Sequence, residues 1–319
     1  MTPQRHPRSI LTISAVLGLA LTLSACGSGD PLDEDAPGND GAATTDGSTG
    51  QDAEAVVVGS QAYYSNEIIA EIYAQALEDA GFAVERQFQI GQRDVYLEAM
   101  AGGEVQLLPE YTGNLLQFYD AETEARSSED VAAQLPEVLP EDLAVLEYAE
   151  AQDADSYNIA AELAADNGIE SLADLAGYDG PITIGGNAEL EARPYGPDGL
   201  REFYGVEVDF LAIGDSGGPL TKDAIRDGTI TMGDIYTADP DLASGDFVTL
   251  ADPESMILAQ NVVPLVDADL AEQLAPTLDA ISAVLTTDEL IALNVRSQEE
   301  QLDSATIATD WLAEQGLVG

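Results

Sequence analysis

The stretch Val56–Asp120 constrains the fold more than any other part of the chain. Val56–Val58 reads as a buried strand that stops at the Gly59-Ser60 turn. The residues after it repeat with a helical period. Ile68, Ile69, Ile72, Tyr73, Ala76 and Leu77 share one face between Asn66 and Ala80, acids take the other, and Gly81 is the stop. A second apolar strand, Val105–Leu108, runs into Pro109-Glu110-Tyr111-Thr112-Gly113-Asn114, again at the start of a helix. Two such corners on one side of a sheet converge backbone N–H groups, and small molecules bind there.

The rest of the folded chain continues the alternation. Strands are expected at Val84–Ile90, Asn158–Leu163, Pro181–Ile184, Thr229–Ile235 and Phe247–Leu250. Helices are expected at Arg93–Ala101, Ser171–Ala176, Leu220–Asp227, Ala268–Leu285, Asp288–Ser297 and Ser304–Gln315. Thr286 and Glu289 have the spacing of a capping box. Alternating β and α elements predict an α/β protein with mainly parallel sheets covered by helices, and the length suggests two lobes.

Charge and composition remove whole classes of function. The chain carries 60 acidic and 10 basic residues, a formal net charge of −50, and Lys222 is its one lysine. Nucleic acid is excluded as a partner, because phosphate binding rests on clustered Lys and Arg. Self-repulsion of this size is screened in high salt, which suits a saline or drying setting. Beyond residue 26 the chain has neither histidine nor cysteine. Disulfides, Cys nucleophiles, His general bases and His- or Cys-ligated metals are therefore ruled out there, and no cofactor is called for.

Residues 1–25 read as a signal peptide: Arg5 and Arg8, then the apolar run Ile10–Leu23, too short for a comfortable membrane span. The run closes in Leu23-Ser24-Ala25-Cys26, which looks like a lipobox, so Cys26 is the expected lipidation site and the membrane anchor. Residues 26–53 are small, acidic and almost free of apolar side chains, so they are expected to form a disordered tether of roughly 30 Å root-mean-square span.

On these motifs, from about Val56 to the ending Ala305-Thr306-Ile307-Ala308-Thr309-Asp310-Trp311-Leu312, the chain resembles the solute-binding lipoproteins of osmoprotectant ABC importers, the glycine betaine/choline/carnitine-binding family. The resemblance implies a two-lobe periplasmic-binding-protein fold of type II. Residues 54–156 and 259–319 would form the first lobe and 157–258 the second. It implies a monomer outside the cytoplasm that closes on a quaternary ammonium ligand and delivers it to ABC permease subunits. In the family an aromatic box holds the ammonium group. The matching residues here are Tyr111 in Glu-Tyr-Thr-Gly, Tyr157 in Asp155-Ser156-Tyr157, and Tyr236 in Asp234-Ile235-Tyr236-Thr237. Arg193 matches the arginine that grips a betaine carboxylate, a task its planar fork suits.

Three positions depart from the family. Gln61 stands where some betaine binders have lysine, Asn114 where others have threonine, and Gln260 in place of a fourth ring. Tyr63 and Tyr64 sit just after Gln61 and are candidates to wall the pocket, and Arg93, which opens a helix after Gly91-Gln92, is a candidate to reach it. The run Gly214-Asp215-Ser216-Gly217-Gly218-Pro219 copies the nucleophile signature of trypsin-like proteases. With no histidine to take the serine proton, it reads as a turn and helix start instead. Two other classes fit composition alone: an extracellular carboxylate-dependent hydrolase, and a structural envelope lipoprotein without a ligand.

Overall fold

A computed structural model describes residues 55–319 of the chain. The signal peptide, Cys26 and the tether, read from sequence at 1–25 and 26–53, lie outside the described residues. The first run of elements is β1 (Val56–Gly59), α1 (Tyr64–Asp79), β2 (Val84–Gln87), α2 (Arg93–Ala101), β3 (Leu107–Tyr111), α3 (Thr112–Tyr119), α4 (Ser128–Val138) and β4 (Leu143–Val145). A second run follows: β5 (Tyr157–Ala160), α5 (Ala161–Asn167), β6 (Thr183–Gly186), α6 (Pro197–Tyr204), β7 (Asp209–Ala212), α7 (Pro219–Arg226), β8 (Met232–Asp234) and β9 (Phe247–Thr249). The chain ends with β10 (Val262–Asp267), α8 (Ala271–Ser282), α9 (Thr287–Gln298) and α10 (Ser304–Gln315).

These strands make two five-stranded sheets, ordered β2-β1-β3-β10-β4 and β7-β6-β8-β5-β9. The first sheet draws its strands from both ends of the described chain, and the second lies wholly between them. Both sheets are mixed rather than mainly parallel. β10 runs antiparallel to β3 and β4, and β5 antiparallel to β8 and β9. The reason is the route of the chain. β5 and β10 each begin directly after a crossing from the other sheet, so each enters at the end where β8 or β3 leaves.

Each sheet has its own core. In the first lobe the apolar stripe of α1 packs with Val58, Leu107, Val262 and the inward faces of α8, α9 and α10. Trp311 is buried there, and its indole N–H donates to Glu289 Oε2 at 2.7 Å. Only half of the Thr286–Glu289 capping box therefore forms. Thr286 accepts from the Glu289 N–H at 3.2 Å, while the glutamate's carboxylate is occupied by the tryptophan. In the second lobe Ile159, Ile184, Leu200, Met232 and Leu250 form the core.

The expected strand Asn158–Leu163 stops at Ala160 and gives way to α5. Ala161-Glu162-Leu163-Ala164-Ala165 is strongly helix-forming, and Gly168 closes it in a left-handed conformation at φ 65°. Among the described residues no helix is long and apolar enough to cross a membrane.

Candidate functional site

The first corner is fixed by Asn66. Its side-chain oxygen accepts the Gln61 N–H at 2.8 Å, and its amide donates to the Pro109 carbonyl at 2.9 Å. One buried side chain thus ties the β1–α1 corner to the β3–α3 corner and brings Tyr63 to Tyr111. Those two rings stack with centroids 6.5 Å apart, and the Tyr63 hydroxyl donates to that of Tyr111. Tyr236 approaches from the second lobe, just beyond β8, with its ring edge-on to Tyr63 at 5.2 Å.

The glutamate of the Glu-Tyr-Thr-Gly motif does not face this group. Glu110 is fully buried and binds Arg93 bidentately, at 2.7 Å from Nε and 3.0 Å from Nη2. It also accepts the Tyr96 hydroxyl at 2.5 Å and the Tyr111 N–H at 2.7 Å. A buried carboxylate with four such partners is a rigid post, and it sets the place of both Tyr111 and Arg93. The motif's glycine has a steric cause. A Cβ on Gly113 would stand 2.6 Å from the Ala259 carbonyl, so only glycine lets the second crossing pass over the start of α3.

A small cavity of about 30 Å³ lies between the lobes, lined by Gln61, Tyr63, Arg93, Tyr111 and Asn114 on one side and Glu189, Arg193, Tyr195, Ser216 and Tyr236 on the other. Asp153 and Asp155, on the first crossing, close its floor. This volume holds about one or two waters and is far below the few hundred Å³ of a small-molecule pocket. Entry of anything larger requires the lobes to part or Tyr63 to swing away from Tyr111.

The carboxyl groups at the floor are held in detail. Asp155 Oδ2 accepts from Asn114 Nδ2 at 2.8 Å and from the Tyr195 hydroxyl at 2.9 Å. Asp153 accepts from the Ser65 hydroxyl at 3.1 Å and the Ala238 N–H at 3.0 Å. Burial pushes the Asp153 carboxyl up to about 7; those two hydrogen bonds oppose the rise, and the charges of Asp239 and Asp155 add to it. Burial also raises Asp234 well above the ordinary carboxylate range, and the neighbouring charge of Asp155 adds to the rise. Burial keeps Tyr63, Tyr111 and Tyr236 neutral by raising each phenol.

Of the residues singled out in the sequence, Gln61, Tyr111, Asn114, Asp155, Arg193 and Tyr236 line the cavity, as do Tyr63 and Arg93. Tyr157 does not. As the first residue of β5 it points into the second lobe's core, 2 % exposed, and its hydroxyl donates to the Tyr195 carbonyl at 2.6 Å. Gln260 also stops short of the cavity. It is fully buried behind Asn114, accepting that residue's N–H at 2.8 Å and donating to its side-chain oxygen at 3.0 Å. Tyr64 turns to Asp239 instead, at 3.3 Å.

Sequence reading missed Tyr195, Asp153, Glu189 and Ser216 as cavity residues. Ser216 belongs to the protease-like run, which is a tight turn. Asp215 accepts from the Leu220 N–H at 2.6 Å at the start of α7, and Ser216 and Gly217 hold left-handed φ of 53° and 74°. A Cβ on Gly217 would come 2.9 Å from the Asp234 carbonyl, so the turn is pressed against the end of β8 and delivers its serine to the cavity.

Two mixed α/β lobes, joined by two crossings and facing one another across a cavity lined from both sides, define a two-lobe substrate-binding protein of the type II periplasmic fold. Residues 54–314 match the OpuAC family, the substrate-binding domain of ABC-type glycine betaine transport systems, and the chain belongs to that family. It is a substrate-binding protein of an ABC-type transport system and not an enzyme. It is 27% identical over 281 residues to the glycine betaine-binding protein YehZ of Escherichia coli (strain K12), spanning 83% of this chain and 92% of YehZ. The apo YehZ structure from that organism superposes with a TM-score of 0.60 at 26% identity, over 83% of this chain and all of the other. The crystal structure of a glycine betaine/carnitine/choline ABC transporter gives a TM-score of 0.66 at 16% identity, over 82% and 99% of the two chains, a likeness of fold.

Proposed function

We propose that this protein captures a quaternary ammonium osmoprotectant of the glycine betaine, choline or carnitine type and presents it to an ABC permease. The observation that carries this reading is the convergence of Tyr63, Tyr111 and Tyr236 from both lobes on one cavity that also holds Arg193. A trimethylammonium group donates no conventional hydrogen bond and is held by ring faces, each worth about 0.5–2 kcal/mol when desolvated. Arg193, which donates to Glu189 at 3.0 Å in this conformation, is the partner for a ligand carboxylate. Because the aromatic group is split between lobes, a ligand held by all three rings favours the closed form, and closure by population shift is what a permease can sense. The name of its relative YehZ supports glycine betaine as the first ligand to try.

The same reading has the mature protein tethered to the membrane through a lipidated Cys26, with residues 27–53 as a leash. Replacing Cys26 with serine should move the protein from the membrane fraction to the soluble one; an unchanged distribution removes the anchor. The ligand is tested by calorimetric titration with glycine betaine, choline and carnitine in high salt. Saturable binding of one of them is the expected result. No heat and no thermal stabilisation with all three would overturn the proposal.

A further inference from the structure

Arg193 is the cation a ligand carboxylate needs, and in this conformation a carboxylate of the protein already has it. Glu189 Oε1 lies 3.0 Å from Arg193 Nη2, and both side chains line the cavity. Glu189 is held from the first lobe as well. With its amide turned to suit that carboxylate, Gln92 Nε2 donates to Oε2 at 2.5 Å and to Oε1 at 2.9 Å. An ion pair between neighbours on an open surface is worth little. This one differs, because Arg193 is only 13 % exposed and Glu189 also joins the two lobes across the cleft.

The turn that carries both residues is fixed. The Leu190 N–H donates to the Asn187 carbonyl at 2.9 Å, and the Arg193 N–H to the Leu190 carbonyl at 3.2 Å. A Cβ on Gly196 would stand 2.1 Å from that same Leu190 carbonyl, so the following chain packs directly onto the turn. Glu191, on the same turn, is exposed and does not line the cavity. Glu189 therefore meets Arg193 because of its place on the turn, not because acids are abundant. The cavity's other donors are mostly engaged, Arg93 with Glu110 and Asn114 Nδ2 with Asp155. Of the buried side-chain atoms that line it, Gln61 Nε2 is the one without a hydrogen-bond partner among the described residues.

Resting on the quaternary ammonium reading above, we infer that Glu189 is a specificity-determining residue. It is an internal carboxylate that occupies Arg193 and so tilts the cleft away from zwitterions, toward permanent cations with a neutral polar end. Glycine betaine gains Arg193 only by displacing Glu189, which exchanges one charge-assisted hydrogen bond for another and yields little. Sharing the guanidinium instead brings two like charges together. Choline has no carboxylate to place. Its hydroxyl is served by the free neutral amide of Gln61 with Arg193 left on Glu189, and the Glu189 charge attracts its ammonium group.

The experiment is calorimetric titration of the full-length protein with glycine betaine and with choline, in the wild type and in Glu189→Gln, which removes the charge and keeps the shape. The readout is the ratio of glycine betaine affinity to choline affinity. It should rise at least about tenfold in the variant, the scale of one charge-assisted hydrogen bond. Two further variants assign the effect. Glu191→Gln removes a charge from the same turn and should leave the ratio unchanged. In an Arg193→Ala background Glu189→Gln should no longer raise the ratio, because the competition is for that guanidinium. An unchanged or lower ratio in Glu189→Gln overturns the inference while leaving the receptor reading standing. So does a rise of equal size in Glu191→Gln, or one that persists without Arg193. Binding of neither compound by the wild type overturns both. Glu189→Ala reports the same ratio if the glutamine variant does not fold.

Discussion

The two lobes reach the cleft by different means. The first presents residues at the ends of regular elements: Tyr111 closes β3 and Tyr63 precedes α1, braced by Asn66 and by the Glu110–Arg93–Tyr96 group beneath. The second presents Glu189, Arg193, Tyr195, Ser216 and Tyr236 from short turns and loops, with a left-handed φ at Ser216. Residues on element ends are placed by the core and are hard to move. Residues on loops can be exchanged or shifted without disturbing a sheet. On the proposed function the lobes take separate tasks: the first supplies a preformed aromatic wall and the second sets what the wall will accept.

The largest expected effect tests the rigidity of the first lobe. Glu110→Gln keeps the shape but leaves Arg93 charged and unpaired in a buried place, at a cost of about 3–5 kcal/mol. Thermal melting should show a fall on the order of 10 °C. A change within a degree or two would mean that the buried group is not what holds the wall. Ligand binding is the next scale down. Tyr111→Ala or Tyr236→Ala should each weaken trimethylammonium binding at least about tenfold, as expected for loss of a desolvated ring face, without unfolding the protein. Calorimetry with unchanged affinity in both variants would remove the aromatic cage.

Arg193→Ala sharpens the comparison, because it should change selectivity more than affinity. A carboxylate-bearing ligand loses a charge-assisted partner worth about 1.5–3 kcal/mol, whereas choline has no such group to lose. The ratio of glycine betaine to choline affinity should fall at least about tenfold. Equal losses for the two would assign Arg193 to holding the closed lobes together.

How much of this was legible in the sequence follows from the same contrast. The first corner could be read because strand, turn and helix are local patterns, and its residues reach the cavity by staying at element ends. β10 was not read as a strand, although it runs through the middle of a sheet. Its Pro264 argues against a central strand, but the missing N–H lies on the β4 side, where the Pro264 carbonyl accepts the Leu146 N–H at 3.1 Å just past the end of β4. Tyr195 could not be found, because its place depends on contacts with Asn114 and Asp155, far off in sequence. Spacing alone also could not say which face of β5 Tyr157 would take, since a one-residue shift exchanges core and cleft.

Tyr157 supplies the smallest prediction. Its hydroxyl reaches only the Tyr195 carbonyl, and its ring lies in the core of the second lobe. Tyr157→Phe keeps the ring and leaves one buried carbonyl short of a donor, a loss of about 1 kcal/mol in stability. Because Tyr195 touches Asn114 and Asp155 through its own hydroxyl, the effect on ligand affinity should stay within about threefold, small beside the Tyr111 and Tyr236 variants. A loss as large as theirs would mean that β5 presents Tyr157 to the ligand in the bound state, and the second lobe would then contribute a fixed ring of its own.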